Sequence, residues 1–198
     1  MSDMQPAERA PILPYCRVPI VVRDANAAAP EVARRVAELI AKKRPGAVAE
    51  HVGSSAVPGL AGKGTVDLLL PTLPEEIPAV TEDLLALGFQ RQAVSTAFPP
   101  TRPMLQGVIR HGDTSFRVHV HVVPAESAEV AALRGFRDAL LTDPELRREY
   151  ERLKRAIVDS GTVDSVAFSK AKHAWIVAAL ERLGLAENAE EAEVGRLP

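Results

Sequence analysis

The strongest structural signal in the chain is the strict alternation of apolar and polar residues from Phe116 to Val123. One face of this segment is valine and the other is basic: Val118, Val120 and Val122 against Arg117, His119 and His121. Successive side chains of a strand point to opposite faces of a sheet, so the pattern predicts a half-buried strand. The two imidazoles are expected on the same face of that strand.

The rest of the chain divides into a mixed region followed by a helical one. The predicted helices of the mixed region are 27–43 and 75–87, and its predicted strands are 47–52, 65–70, 89–93 and 104–109. Residues 20–23 are predicted to form either a short strand or an extended lead-in. After Pro124 three helices are predicted; Asp143 and Pro144 begin the second, and the third runs from Ser165 to Leu183. Strands mixed with helices and then helices alone indicate an α+β fold.

This organisation predicts one domain with two flexible ends. The expected divisions are a flexible N-terminus at 1–14, an α/β core at 15–125, a helical part of the same domain at 126–185, and an acidic flexible tail at 186–198. Oligomeric state is not encoded in any pattern of this sequence.

Composition limits the possible partners. A formal net charge of −2 and an aromatic content of 4% disfavour nucleic acid as a partner. We find no run of about 18 apolar residues, so no membrane partner is expected. The single cysteine, Cys16, excludes an intramolecular disulfide, and a lone thiol without a secretory segment indicates the cytoplasm.

The segment from Gly53 to Asp67 carries the most chemistry. Gly53 permits close backbone approach to a ligand, Ser54 and Ser55 offer hydroxyl and N–H groups, and Lys63 adds a positive charge. A helix that begins at Ser54 would also direct its dipole at a phosphate. The alternative for this segment is an ordinary glycine-rich turn.

Asp67 interrupts an apolar strand, which indicates a metal ligand or a catalytic group. With His119 and His121 it would form a set of two histidines and one carboxylate, which favours a transition metal. The alternatives are a hydrogen-bonded structural acid and histidines that support the site from beneath. A cupin-like reading of His119, His121 and Glu126 is disfavoured, because helices follow the strand.

Four further basic positions complete the candidates. His51 and Arg117 are predicted to contact a phosphate or another anion. One interpretation of Lys172 is that it closes over a ligand; a solvated helix position is the favoured interpretation. Lys154 is likewise interpreted as part of an exposed helix face.

Several of these motifs together resemble the GrpB family, which belongs to the nucleotidyltransferase superfamily. The resemblance covers roughly residues 20–183. It is carried by the run His51–Leu60, by Lys63, Asp67 and His119–Val123, and by the helical motifs Phe136–Asp138, Pro144–Leu146, Tyr150–Lys154 and Lys172–Ile176.

The resemblance implies a nucleotidyltransferase-like mixed β-sheet flanked by helices, with C-terminal helices. It implies that Gly53 and Ser54 contact phosphate and that Asp67 is the first of two carboxylates that bind divalent ions. Here the chain departs from the superfamily, because the second carboxylate position is Leu69. A Trp-Pro pair typical of the family is also missing from Arg23–Pro30.

The resulting hypothesis is a protein that binds a nucleotide or another phosphorylated small molecule. Metal-dependent nucleotidyl transfer is the activity implied by the resemblance, with Asp67, His119 and His121 as catalytic and metal-binding residues and magnesium, manganese or zinc as the ion. The alternative is a catalytically inactive fold that serves as a ligand-binding or interaction module. A link to coenzyme A biosynthesis belongs to that alternative, since GrpB-like domains occur fused to a kinase of that pathway.

Overall fold

The computed structural model describes residues 10–93 and 98–185, and its centre is a mixed β-sheet. Five strands form this sheet in the order β1-β2-β5-β4-β3. Their bounds are β1 Glu50–Val52, β2 Thr65–Thr72, β3 Gln90–Arg91, β4 Met104–His111 and β5 Thr114–Pro124. The helices are α1 Ala29–Lys43, α2 Ile77–Ala86, α3 Ala128–Thr142, α4 Pro144–Asp159 and α5 Ser165–Arg182. The predicted α+β class, with a mixed sheet flanked by helices, is confirmed.

The two central strands are parallel, and this pairing positions the candidate site. β2 pairs with β5 in a register that places Asp67 opposite His119 and Leu69 opposite His121. The other pairings, β1 with β2, β4 with β5 and β3 with β4, are antiparallel.

The two faces of the sheet belong to different apolar cores. The valine face of β5, together with Val66, Leu68 and Leu70, is buried against α1 and α2. On the opposite face, Leu69 and Val123 pack against residues of α3, α4 and α5 such as Phe136. The predicted alternation of β5 therefore separates an aliphatic core from a face that carries the histidines.

Local capping explains where the last two helices begin. The side chain of Asp143 accepts hydrogen bonds from the N–H groups of Glu145 and Leu146, with Pro144 as the first helical residue. Asp164 accepts corresponding bonds from Val166 and Ala167 at the start of α5. These side chains satisfy N–H groups that have no partner within the helix.

Several boundaries differ from the sequence-based expectations. The first strand covers Glu50–Val52 rather than 47–52, and the predicted helix 75–87 is divided into a 3-10 turn at Pro74–Glu76 and α2. Residues 20–23 form no strand, and only Arg23 makes an isolated bridge, with Gly62.

Two residues of the segment that was predicted to be flexible, Ile12 and Leu13, are anchored to the rest of the protein. Ile12 is 2% exposed because it packs into the core beneath α1 and α2, and Leu13 pairs with Val108 of β4. Residues 1–9 and the predicted acidic tail, 186–198, lie outside the described residues. Within the described ranges, no helix combines the length and apolar character needed to cross a bilayer.

Candidate functional site

Asp67, His119 and His121 come together on the face of the sheet that meets the C-terminal helices. Nδ1 of His119 lies 3.2 Å from Oδ1 of Asp67, and Nε2 of His121 lies 3.7 Å from the same oxygen. The Asp67 and His121 side chains are buried, and that of His119 is partly buried. Parallel pairing of β2 with β5 brings the three groups together. Asp67 lies opposite His119, and His121 is two residues further along β5, so all three side chains point to the same face of the sheet.

The electrostatics of this group favour one carboxylate and two neutral imidazoles at neutral pH. Burial by itself raises the pKa of Asp67, but the positive charge of Lys63 and the two imidazoles outweigh burial and hold that pKa well below its usual range. Burial lowers the pKa of His119 to about 4 and also lowers the pKa of His121. This is the protonation state in which carboxylates and imidazoles bind metal ions.

Two atoms of the group are buried without a hydrogen-bond partner, namely Oδ1 of Asp67 and Nε2 of His121. Buried polar atoms are nearly always paired, so an unpaired carboxylate oxygen next to an unpaired imidazole nitrogen requires an explanation. The three residues can each offer one ligand atom within 4.8 Å of the others. Ligand atoms around a tetrahedral zinc ion lie about 3.4 Å apart, so the observed separations suit one transition metal ion.

Leu69 occupies the position that would carry a second carboxylate. Its side chain is fully buried in the apolar cluster that includes Val52 and Leu60. The candidate metal site therefore contains one carboxylate, and the second acidic position belongs to the core instead.

The loop after β1 is held by specific hydrogen bonds. Gly53 has a φ of 72°, a left-handed conformation that glycine adopts without strain. Ser54–Ala56 form a single 3-10 turn, so the helix that was expected to begin at Ser54, with its dipole, is absent at this position. The Ser55 hydroxyl bonds with Nε2 of His51 at 3.0 Å, which leaves the Ser54 hydroxyl to face α4.

Lys154 and Lys172 are buried, and the prediction of solvated helix positions is wrong for both. Each is 1% exposed. Nζ of Lys154 donates to the Ser54 hydroxyl at 3.1 Å and to the Ala61 carbonyl, and Nζ of Lys172 donates to the Tyr150 hydroxyl at 3.3 Å. The sequence contained a signal for this burial, since Lys154 follows Tyr150 by four residues and Lys172 lies four residues from both Phe168 and Ile176.

These lysines lack a carboxylate partner at ion-pair distance among the described residues. Burial lowers the pKa of Lys154 to about 7 and that of Lys172 to about 8, and it also lowers the pKa of Lys63. Buried charges are normally paired, because removal from water costs several kcal/mol per ion. A bound anion would stabilise the protonated form of all three amino groups, so these lysines favour an anionic ligand.

All three lysines line one cavity between the sheet and the helices α4 and α5. Ser54, Ser55, Gly62 and Asp67 also line this space, which we call the lysine cavity. Asp24 lies at its exposed edge and pairs with Arg155, so Asp67 is the acid in the buried part of the described lining. The cavity thus places three basic side chains next to the candidate metal group.

The structure separates the other two predicted anion ligands from this cavity. His51 is partly buried behind the serine loop, where burial lowers its pKa to about 4. Arg117 donates from Nη2 to the carbonyl oxygen of Lys63 at 2.6 Å and lines a different pocket, as does His119. Gly53 shapes the loop, but its own atoms do not line the lysine cavity.

Comparison with known proteins gives a family and a fold. The family model for GrpB protein matches residues 19–182. A UPF0157 protein of Pseudomonas aeruginosa is 35% identical over 143 residues, which are 70% of this chain and 56% of that protein. The chain thus spans little more than half the length of this relative.

A solved structure shows a similar fold over most of this chain. The crystal structure of conserved protein GrpB from Enterococcus faecalis matches with a TM-score of 0.66 at 20% identity and covers 82% of this chain and 96% of that chain. A more distant nucleotidyltransferase neighbour is the Cid1 poly(U) polymerase, with a TM-score of 0.37 at 16% identity over 61% of this chain and 40% of that chain.

Proposed function

This chain belongs to the GrpB family, and we propose that it binds a phosphorylated small molecule, such as a nucleotide, together with one divalent transition metal ion. The observation that carries the proposal is the lysine cavity, where three lysines, Lys63, Lys154 and Lys172, face a single buried carboxylate, Asp67. A phosphate group supplies the negative charge and the acceptor oxygens that these ammonium groups lack.

The residues of the cavity have separate tasks in this proposal. Lys154 and the hydroxyl of Ser54, which already touch each other, bind one phosphate, and Lys63 and Lys172 neutralise the remaining charge. Asp67, His119 and His121 hold the metal ion. A divalent ion at this position supplies a Lewis acid that polarises a phosphoryl oxygen.

Metal-dependent nucleotidyl transfer is the finer form of this proposal. A two-metal mechanism requires several oxygen ligands to hold the two ions that stabilise the attacking and leaving groups, and Leu69 stands where one of those ligands would be. A single-metal reaction is compatible with the remaining ligands. The buried Leu69 equally favours the second candidate, a catalytically inactive ligand-binding module. The association with coenzyme A biosynthesis and the cytoplasmic location remain predictions.

The first experiment measures ligand-dependent stability of the full chain. Thermal unfolding is followed with nucleoside triphosphates or pyrophosphate, with and without zinc, manganese or magnesium. A ligand present at about 100 times its Kd stabilises the folded state by about 2.7 kcal/mol. We expect stabilisation by the phosphorylated ligands that disappears in the double variant Lys154→Met, Lys172→Met.

Lys170→Met is the matched control, because Lys170 is an exposed lysine on the same helix as Lys172. It removes one positive charge from the surface of that helix and should leave the ligand response unchanged. Failure of every phosphorylated ligand to stabilise the wild-type chain would refute the proposal. Stabilisation that requires metal favours a transferase, and stabilisation without metal favours the binding module.

The metal site is tested separately by elemental analysis after dialysis against zinc or manganese. We expect one equivalent in the wild-type chain and a loss of retention in Asp67→Asn and in the double variant His119→Ala, His121→Ala. His173→Ala is the control, since His173 is exposed on α5. Equal retention by all variants would eliminate the assignment of the metal to this group.

A further inference from the structure

A second pocket lies beside the lysine cavity, on the other side of Lys63. Its polar and charged lining includes Tyr15, Arg17, Lys63, Gln106, Arg117 and His119. Lys63 and Thr65 line both spaces. Asp67 lines the lysine cavity and contacts His119, which lines the second pocket. The pair of Asp67 and His119 is therefore reached from two directions.

The outer wall of the second pocket is the N-terminal segment of residues 12–23, which we call the strap. Leu13 exchanges two backbone hydrogen bonds with Val108, at 2.7 and 2.9 Å. Ile20 donates to the carbonyl of Val163 at 2.8 Å, and Arg23 exchanges two bonds of 2.9 Å with Gly62. The strap is thus attached to β4, to the connection between α4 and α5, and to the loop before β2.

The charge in the second pocket is positive. Arg17, Arg117 and Lys63 line it, and no acid appears in its described lining. Within the described ranges neither Arg17 nor Arg117 forms an ion pair, although Arg17 lies close enough to lower the pKa of Asp164. Arg117 uses one N–H for the Lys63 carbonyl, and a guanidinium group has five N–H donors in all.

The strap also brings a hydroxyl to the candidate site. The Tyr15 hydroxyl lies 3.4 Å from Nε2 of His119, and the two rings are 5.6 Å apart. The backbone N–H of Tyr15 is fixed by a 3.0 Å bond to the side chain of Gln90. A molecule in the second pocket would therefore lie next to His119 with hydrogen-bonding groups already in place.

We propose that the second pocket binds a second small molecule, which carries an anionic group, either a carboxylate or a phosphate, between Arg17 and Arg117. Guanidinium groups recognise both oxyanions through paired N–H donors, so the two chemistries share one geometry. Only the identity of the neighbouring ligand rests on the proposed function; the charge and shape of this pocket do not depend on it. The arrangement allows the two molecules to approach the Asp67 and His119 pair together.

The chain contains two tyrosines, and each lies beside a different one of the two spaces. Tyr15 lines the second pocket, and the hydroxyl of Tyr150 contacts Lys172, which lines the lysine cavity. Full-length protein labelled with 3-fluorotyrosine should therefore give one fluorine NMR signal for each space. Tyr15→Phe assigns the two signals.

The probes are inorganic phosphate and succinate, titrated separately. We expect the Tyr15 signal to shift to saturation with at least one of them. Because each guanidinium group supplies charged hydrogen bonds to the anion, Arg17→Gln and Arg117→Gln should each weaken that binding about tenfold or more. Arg34→Gln is the control, because Arg34 is exposed on α1, across the sheet from the pocket.

Each pattern of signals decides a different question. A Tyr15 shift with phosphate alone identifies a phosphorylated second ligand, and one with succinate alone identifies a carboxylate. A Tyr15 signal that stays still, or that shifts equally in Arg17→Gln and wild type, overturns the proposal. In the phosphate titration, a shift of Tyr15 without a shift of Tyr150 supports the second pocket while it contradicts the proposed lysine cavity ligand. Because Arg17 is exposed, its replacement tests the pocket without disturbing the core.

Discussion

The buried lysines are the residues at which function and stability oppose each other. An ammonium group inside the protein loses its hydration, and Lys172 regains only a hydrogen bond to Tyr150 and contacts with the Phe168 and Tyr150 rings. Uncompensated charges of this kind cost free energy, and they are retained where a ligand supplies the missing partner. The same reasoning applies to Lys154, whose ammonium group lies over the ring of Tyr150.

Replacing Lys172 with methionine should increase stability at neutral pH. The pKa of Lys172 is about 8 in the folded protein against an ordinary value of 10.5. Between these values the unfolded chain binds more protons, so stability rises with pH across that window and the buried charge costs most below it. We expect Lys172→Met to raise the free energy of unfolding at pH 7 on the order of 2 kcal/mol. Urea denaturation measures this change.

The stabilisation should shrink between pH 8 and pH 10.5, because the folded wild-type lysine is already neutral there and the unfolded chain progressively loses its proton. Lys170→Met, at an exposed position, should change stability by less than about 0.5 kcal/mol. A loss of stability in Lys172→Met at pH 7 would contradict the assignment of an uncompensated buried charge.

A second residue-level prediction concerns Leu69. Because this side chain is fully buried among apolar residues, Leu69→Asp should destabilise the fold by about 4 kcal/mol or more instead of creating a second metal ligand. Leu69→Met, which conserves volume, should cost less than about 1.5 kcal/mol. Chemical denaturation and metal analysis of the aspartate variant provide the check. A stable Leu69→Asp variant that retains a second metal equivalent would contradict this prediction, because it would show that a carboxylate can be accommodated at position 69.

At the scale of elements, the decisive feature is the contact between strands β2 and β5. Their parallel register sets Asp67 beside His119, and a shift of one residue would move the histidines to the opposite face.

The strap is the second important element. Near its start, the side chain of Ile12 fits against Gly107 on β4 and helps to hold the strap beside the second pocket.

A methyl group at Gly107 should release the strap. A Cβ at this position would lie 2.2 Å from Cγ2 of Ile12 and 3.1 Å from a ring carbon of Phe89. Since both neighbours are buried, we expect Gly107→Ala to cost about 1–3 kcal/mol and to displace Ile12. Tryptic cleavage after Arg17 should become faster, and anion binding at the Tyr15 signal should weaken.

Gly112→Asn is the comparison for this variant. Gly112 lies in the turn between β4 and β5, where a Cβ would meet no atom within 4 Å and where asparagine tolerates the positive φ. The rate of cleavage after Arg17 should not change in this variant. An unchanged rate in Gly107→Ala as well would show that Ile12 does not hold the strap.

At the scale of the whole molecule, the candidate site joins the sheet to the C-terminal helices. Asp67 and Ser54 belong to the α/β core, whereas Lys154 and Lys172 belong to α4 and α5. The apolar cluster around Leu69 is likewise shared by both parts. The α/β core and the helices should therefore unfold together rather than as two independent units.

Trp175 provides the test, because it is the single tryptophan and stacks on Tyr150 at a ring distance of 5.2 Å. Its fluorescence reports on the helical part, while circular dichroism reports on the whole chain. We expect the two denaturation curves to coincide, and a phosphorylated ligand should shift both by the same amount. An earlier transition in the fluorescence curve would identify an independently unfolding helical part.

The local sequence determined the features that depend on backbone periodicity and local chemistry. Alternation from Phe116 to Val123 predicted both the strand and the common face of its histidines, and Asp67 was conspicuous as an acid in an apolar strand. The expected caps at Asp143 and Pro144 also formed. These features follow from the neighbours of each residue along the chain, which is why they can be predicted without a structure.

Only the tertiary structure decided which groups meet across the sheet and beneath the helices. The parallel register of β2 with β5 joins segments about 50 residues apart, and such pairing depends on packing rather than on local preference. Tertiary packing likewise decides the position of Lys154, which lines the cavity because α4 packs over the Ser54 loop. It also decides the position of Tyr15, which lies beside His119 because of the path of the strap. A lysine on a helix is locally compatible with water or with a cavity, and the elements packed against it determine which one it faces.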